Sequence, residues 1–171
     1  HSLADSAYNQ RREACEESVR ILQGHYPKIQ TLRDIPESEL ENVKSVLPES
    51  LYPKAKHVIT ECYRVMLAAN ALSSGELVSF GKLLSASHKS LSEDYAVSCP
   101  ELDFLAEKAQ SLDFVLGSRM MGGGFGGCTI NLVKTSKLEN FKSILSEAYA
   151  KKFQKTPDFI HVKLSQGASL L

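Results

Sequence analysis

Phe114-Val115-Leu116, then Gly122-Gly123-Gly124-Phe125-Gly126-Gly127, then Cys128-Thr129-Ile130-Asn131-Leu132-Val133 mark where the chain turns from helical to strand patterning. Phe114–Leu116 reads as a buried strand, and residues 128–134 alternate as a second strand. Between them lie five of the ten glycines of the chain. Glycine has no Cβ, so each one admits positive φ and close approach of another backbone or a phosphate. Five together exceed what a simple turn needs, and the loop reads as shaped for a ligand or for another loop.

The loop fits Gly-x-Gly-x-x-Gly at Gly122, Gly124 and Gly127, but the context excludes two familiar readings. A dinucleotide site needs a helix directly after the glycines, and here a strand pattern follows. A protein-kinase glycine loop does sit between strands, yet no catalytic-loop or Asp-Phe-Gly motif appears in the remaining sequence.

Upstream the pattern is helical. Residues 3–22 carry Ala4, Tyr8, Arg11, Cys15, Val19 and Leu22 near one face, and Gly24 stops the helix. Asp34-Ile35-Pro36-Glu37 reads as the capped start of a short helix ending before Pro48. Over residues 53–72, Ala55, Val58, Ile59, Cys62, Val65, Met66, Ala69 and Leu72 form one apolar stripe behind Pro53. Leu77, Phe80, Leu84 and Leu91 mark the next helix. Ser98-Cys99-Pro100-Glu101 reads as a capping box opening a helix with Leu102, Leu105, Ala109 and Leu112. A second box, Ser136 to Glu139, precedes Leu138, Phe141, Ile144, Leu145 and Ala148. Residues 159–164 alternate as a last strand.

The order predicts one α+β domain over residues 1–171, with helices packed on one side of a small, mainly antiparallel sheet. Three short strands are few for a sheet, and a fourth is expected upstream of His1. A chain of 171 residues can bury a core of its own. Twenty basic residues balance twenty acidic ones, so charge favours neither nucleic acid nor an anionic membrane. No apolar run reaches the roughly 20 residues of a bilayer span, and no signal peptide is visible. Cys15, Cys62, Cys99 and Cys128 form no Cys-x-x-Cys pair and read as buried, reduced thiols of a cytoplasmic protein. His57 and His88 fall in helices without a metal-ligand partner at i+4, and neither reads as catalytic. Lys151-Lys152 reads as a solvated helix end. No metal site is expected in this chain.

Gly117-Ser118-Arg119-Met120-Met121-Gly122-Gly123-Gly124-Phe125-Gly126-Gly127-Cys128 resembles the third conserved motif of galactokinases, in the GHMP kinase superfamily. Asp94-Tyr95-Ala96-Val97-Ser98-Cys99-Pro100-Glu101-Leu102-Asp103 resembles the segment those enzymes carry before it. His1-Ser2-Leu3-Ala4-Asp5-Ser6-Ala7-Tyr8-Asn9-Gln10-Arg11-Arg12 resembles the helix that opens their C-terminal domain, and Ser165-Gln166-Gly167-Ala168 resembles their end. Met121 stands where many members have Thr, and Ala96 where many have a charged residue. Two family signatures do not occur: the Gly-Glu-His-Thr-Asp type and the Gly-Leu-Ser-Ser-Ser phosphate loop. The resemblance therefore implies the C-terminal, ferredoxin-like domain of a galactokinase, with the N-terminal domain outside this chain.

For the full-length protein the resemblance implies phosphorylation of α-D-galactose at its C1 hydroxyl by ATP with Mg²⁺, both bound mainly by the N-terminal domain. The implied partners are galactose, ATP and that domain, in the cytoplasm. No catalytic residue is expected in this chain, and alone it is expected to be inactive. Gly122, Gly123, Gly124, Phe125, Gly126 and Gly127, with Arg119 as a brace, would support the phosphate loop. Tyr8 would contact the sugar; by position alone it reads instead as a core tyrosine beside Cys15 and Val19. Asp94 and Asp103 read as solvent-facing or capping. A non-catalytic sugar and ATP sensor, another sugar kinase of the superfamily, and a stand-alone binding module are the alternatives.

Overall fold

The computed structural model describes residues 3–163. Six α-helices and two strands follow one another: α1 Leu3–Leu22, α2 Leu40–Val46, α3 Tyr52–Ser73, α4 Leu77–Glu93, α5 Pro100–Gln110, β1 Val115–Met121, β2 Cys128–Val133 and α6 Leu138–Phe153. Single 3₁₀ turns at Leu32–Asp34, Glu37–Glu39 and Thr135–Lys137 serve as connectors. Helices pack on a small antiparallel sheet, and β1 pairs β2 from Met121↔Cys128 to Val115↔Val133 with an irregularity between Val115 and Gly117.

Three apolar clusters hold the elements. Leu22, Ile29, Leu32, Ile35, Val43, Leu47, Ala55 and Ile59 join α1, α2 and the first half of α3. Ala109, Phe114, Val115, Phe141 and Leu145 join α5, β1 and α6, and Leu91, Val97, Leu102 and Met120 fill the space beneath the glycine loop. Each fully buried aliphatic side chain contributes about 1.5–3 kcal/mol relative to exposure.

The α4–β1 seam follows a different rule. The buried residues of α4 are Gly81, Ser87, His88, Ser90 and Leu91, while Leu77 is exposed. A Cβ on Gly81 would sit 2.0 Å from the Leu116 carbonyl oxygen, and one on Gly117 would sit 2.1 Å from the Gly81 oxygen. Helix and strand thus meet backbone to backbone, which brings β1 and its loop close to α4.

Several sequence expectations are corrected. The strand expected over 159–164 does not form over 159–163: Phe159 packs edge-on to Phe141, but Ile160 and Val162 face outward, and among the described residues no strand lies beside them to complete a ladder. Residue 164 and the Ser165–Ala168 stretch lie outside the described residues. The apolar stripe of α3 is buried at Ala55 and Ile59, yet Val65, Met66 and Leu72 are exposed.

Both capping boxes fail. Pro100 occupies the first helical turn and moves the N-cap of α5 to Cys99, leaving the Ser98 hydroxyl buried without a partner. A 3₁₀ turn precedes α6, whose N-cap is Lys137 with no side-chain bond. Asp34 turns back instead, its carboxylate accepting from the Gln30 and Thr31 amides, both at 2.8 Å. The cysteines are free, but Cys128 is exposed and the other three half-buried.

Candidate functional site at the glycine loop

The loop between β1 and β2 departs from ordinary backbone at nearly every residue. Gly122, Gly124, Gly126 and Gly127 have φ of 81°, 86°, 134° and 98°, and Phe125 joins them at 60°. Gly122, Gly123, Gly126 and Gly127 have nothing within 4 Å of a built Cβ, so their backbone is open to an approaching group. Gly124 is the opposite case: its Cβ would lie 2.0 Å from the Val97 carbonyl oxygen.

That contact shows what fixes the loop. The Phe125 amide donates to the Val97 carbonyl at 2.7 Å, and the Phe125 ring packs on Leu91, Val97, Leu102 and Met120. The loop is therefore clamped at its centre and open at both shoulders.

Arg119 lies half-buried on β1 before the loop. Its Nε donates to the Met120 carbonyl at 2.9 Å, and its Nη1 stands 3.4 Å from Glu61 Oε1 of α3. Glu61 also accepts from Arg64 Nη1 at 2.6 Å and from the Ser87 hydroxyl. This network joins α3, α4 and β1 beneath the loop.

His88 adds a further tie. Its Nδ1 accepts from the Met120 amide at 3.1 Å, which places the proton of the neutral ring on Nε2, 3.4 Å from Asp103 Oδ1. Burial pushes its pKa down, opposed by Asp103 and Glu107. His57 is likewise buried, with Nδ1 3.0 Å from Ser90 Oγ and its ring stacked 4.5 Å from Tyr95. Its pKa is also lowered, burial being the main cause. Asp94 and Asp103, read as solvent-facing or capping, are half-buried at helix ends: Asp94, the C-cap residue of α4, pairs with Lys56 and accepts from Ser90, and Asp103, in the first turn of α5, accepts from Ser92 at 3.1 Å.

Tyr8 is 59% exposed on α1, away from the cluster that Cys15 and Val19 join. One turn further, Arg11 donates from Nε to the Tyr95 carbonyl at 2.6 Å and from Nη2 to the Ala96 carbonyl at 2.8 Å. Periodicity alone puts Arg11 on the face of α1 that carries Tyr8, Cys15, Val19 and Leu22 and gives it no partner. A guanidinium on an otherwise apolar stripe was the signal, because a charge there requires partners. Glu61 and Ser87 gave no such signal: Arg64 is an ordinary i,i+3 partner of Glu61, and the contacts that tie the network together span 26 and 58 residues.

A cavity of about 580 Å³ lies between α1 and α3, lined by residues including Cys15, Val19, Leu32, Arg33, Val58 and Cys62. It touches neither Tyr8 nor the loop. Among the described residues, no three His, Cys, Asp or Glu side chains converge as a metal site. No described helix is long and apolar enough to cross a membrane.

Residues 67–151 match the model of the family described as GHMP kinases C terminal. The chain belongs to the GHMP kinases and carries their C-terminal domain. Within that family its similarity is to galactokinases. The galactokinase of Roseiflexus sp. (strain RS-1) is 45% identical over 166 residues, covering 97% of this chain and 42% of the relative. Human galactokinase is 40% identical over 171 residues, covering 100% of this chain and 41% of the relative. The crystal structure of Lactococcus lactis galactokinase complexed with galactose superposes with a TM-score of 0.86 at 36% identity, over 91% of this chain and 40% of that one. The chain thus spans about two fifths of the length of the relatives it matches.

Proposed function

We propose that this chain is the C-terminal domain of a galactokinase, and that the full-length protein transfers a phosphoryl group from ATP to the C1 hydroxyl of α-D-galactose. The products are galactose 1-phosphate and ADP. The observation that carries this reading is the 45% identity to a galactokinase across 97% of the chain, glycine loop included. Phosphoryl transfer depends on positioning and on neutralising charge around the transferred group. The open shoulders of the loop suit the first task, bringing uncrowded backbone against the phosphate-binding loop of an N-terminal domain. Arg119, committed to Met120 and Glu61, acts as a brace beneath the loop and not as a phosphate ligand.

Tyr8 is assigned to the sugar. Its exposed phenol can hydrogen-bond a hydroxyl while its ring covers an apolar pyranose face. The resemblance to galactokinases assigns the metal and most of the ATP contacts to the N-terminal portion, as it does any carboxylate orienting the galactose hydroxyl. The protein is assigned to the cytoplasm.

The experiment is an assay of the full-length protein and of residues 1–171 alone, each with ATP, Mg²⁺ and galactose. Galactose 1-phosphate from the full-length protein and none from the fragment is the expected result. A full-length protein that binds galactose and ATP without turnover would instead identify a sensor, and turnover by the fragment would refute the division of roles.

A further inference from the structure

We propose that Arg11 is a positioning residue that couples the Tyr8 end of α1 to the glycine loop. The connection runs from Arg11 through Tyr95, Ala96 and Val97 to the centre of the loop. Arg11 stands one helical turn after Tyr8, so the two side chains share a face. Its guanidinium chelates two successive carbonyls, those of Tyr95 and Ala96, at 2.6 and 2.8 Å. Ala96 has φ of 54°, a left-handed conformation that an L side chain adopts only when its surroundings enforce it. The next residue, Val97, is 4% exposed, and its carbonyl receives the Phe125 amide at 2.7 Å. The same carbonyl abuts Gly124.

Three features keep the connector stiff. Tyr95 stacks on His57, and its hydroxyl lies 3.8 Å from Cys15 Sγ, one turn beyond Arg11 on α1. The Tyr95 and Val97 amides donate to the Ser90 and Leu91 carbonyls at the end of α4. The planar guanidinium fixes the relative direction of two neighbouring carbonyls, which a single-point ammonium cannot do. Arg11 therefore holds the turn at Ala96, the turn aims the Val97 carbonyl, and that carbonyl sets the centre of the loop.

The coupling rests on the proposed roles of Tyr8 and the loop, and the test separates the two. In the full-length protein, Arg11→Met is compared with wild type by galactose phosphorylation kinetics and by hydrogen exchange. The expected result is about tenfold or greater loss of kcat, as for a small misplacement of a positioning element. Exchange at the Phe125 amide should rise about tenfold or more while Leu145 in α6 keeps its protection. Adding Ala96→Gly, which accepts positive φ without cost, should restore part of both. Arg11→Lys, which keeps the charge but not the fork, should fall between wild type and Arg11→Met, and it carries the test if Arg11→Met does not fold. Unchanged kcat and Phe125 exchange would overturn the proposal, as would equal loss of protection at Phe125 and Leu145. A wild-type protein without galactokinase activity would refute the functional reading, while the exchange comparison would still decide the link from Arg11 to the loop.

Discussion

Gly81 of α4 and Gly117 of β1 touch through their backbones, and neither position has room for a methyl group. A Cβ on Gly81 meets the Leu116 carbonyl oxygen at 2.0 Å and one on Gly117 meets the Gly81 oxygen at 2.1 Å. Because a backbone oxygen cannot rotate aside as a side chain can, helix and strand must separate to accept either substitution.

Gly81→Ala is therefore expected to destabilise the domain. Alanine in a helix gains about 1 kcal/mol of propensity over glycine. Overpacking a close contact costs about 1–3 kcal/mol, and the backbone clash sets it at the upper end. A net fall in Tm of several degrees is expected in a thermal melt of the full-length protein. A rise in Tm would show that α4 and β1 are not tightly apposed.

This seam also shows why part of the fold was unreadable in advance. Hydrophobic periodicity found α1, α3 and α6 because their inward residues are apolar, as at Leu22, Ile59, Phe141 and Leu145. It found α4 as a helix with Leu91 inward, but not the rest of its inner face, which is Gly81, Ser87, His88 and Ser90. Contacts made by absent side chains, or by polar groups paired across the sequence, leave no apolar period. Periodicity is also blind to what covers a face, so Val65, Met66 and Leu72 looked like core and are exposed. The glycine density marked the loop, but the clamp from Phe125 to Val97 and the grip of Arg11 on Tyr95 and Ala96 appear only once the chain is folded.

Tyr8→Phe in the full-length protein should raise the KM for galactose with little change in kcat. One neutral hydrogen bond contributes about 0.5–1.5 kcal/mol, or roughly a two- to thirteenfold change. Because the side chain is 59% exposed, Tm should stay near wild type. Steady-state kinetics with varied galactose decides the matter: an unchanged KM would remove Tyr8 from the sugar site.

Stability should fall as the pH drops below the ordinary histidine range. His57 and His88 have lowered pKa values in the fold, chiefly through burial. The unfolded chain therefore binds more protons than the native one once the pH falls below about 6.5. The contribution is complete above that value and is lost as the pH descends toward the folded pKa values. Protonation of His88 also removes the acceptor used by the Met120 amide. Melts between pH 8 and pH 5 should show Tm declining on the acid side, and more shallowly in His88→Asn, which keeps an acceptor but no titration. A His88→Asn profile as steep as wild type would assign the slope elsewhere.

Two neighbouring glycines give opposite expectations, and together they test whether the loop acts on a ligand or merely turns. At Gly124, φ of 86° and the Val97 oxygen 2.0 Å from a built Cβ combine, so Gly124→Val strains the clamp as well as any ligand contact. Such strain costs about 1–3 kcal/mol, and both Tm and turnover should fall. Gly123 is not a positive-φ residue and a Cβ there meets nothing within 4 Å. Gly123→Ala should leave Tm unchanged. If backbone at this shoulder lies against the phosphate-binding loop or the nucleotide, the added methyl should still lower kcat by about tenfold or more, as a small displacement at a reacting centre does. The two variants are compared by melt and by kcat on the same full-length preparations. Wild-type turnover in Gly123→Ala beside a destabilised Gly124→Val would make the loop scaffolding, and its proposed support of phosphate transfer would be lost.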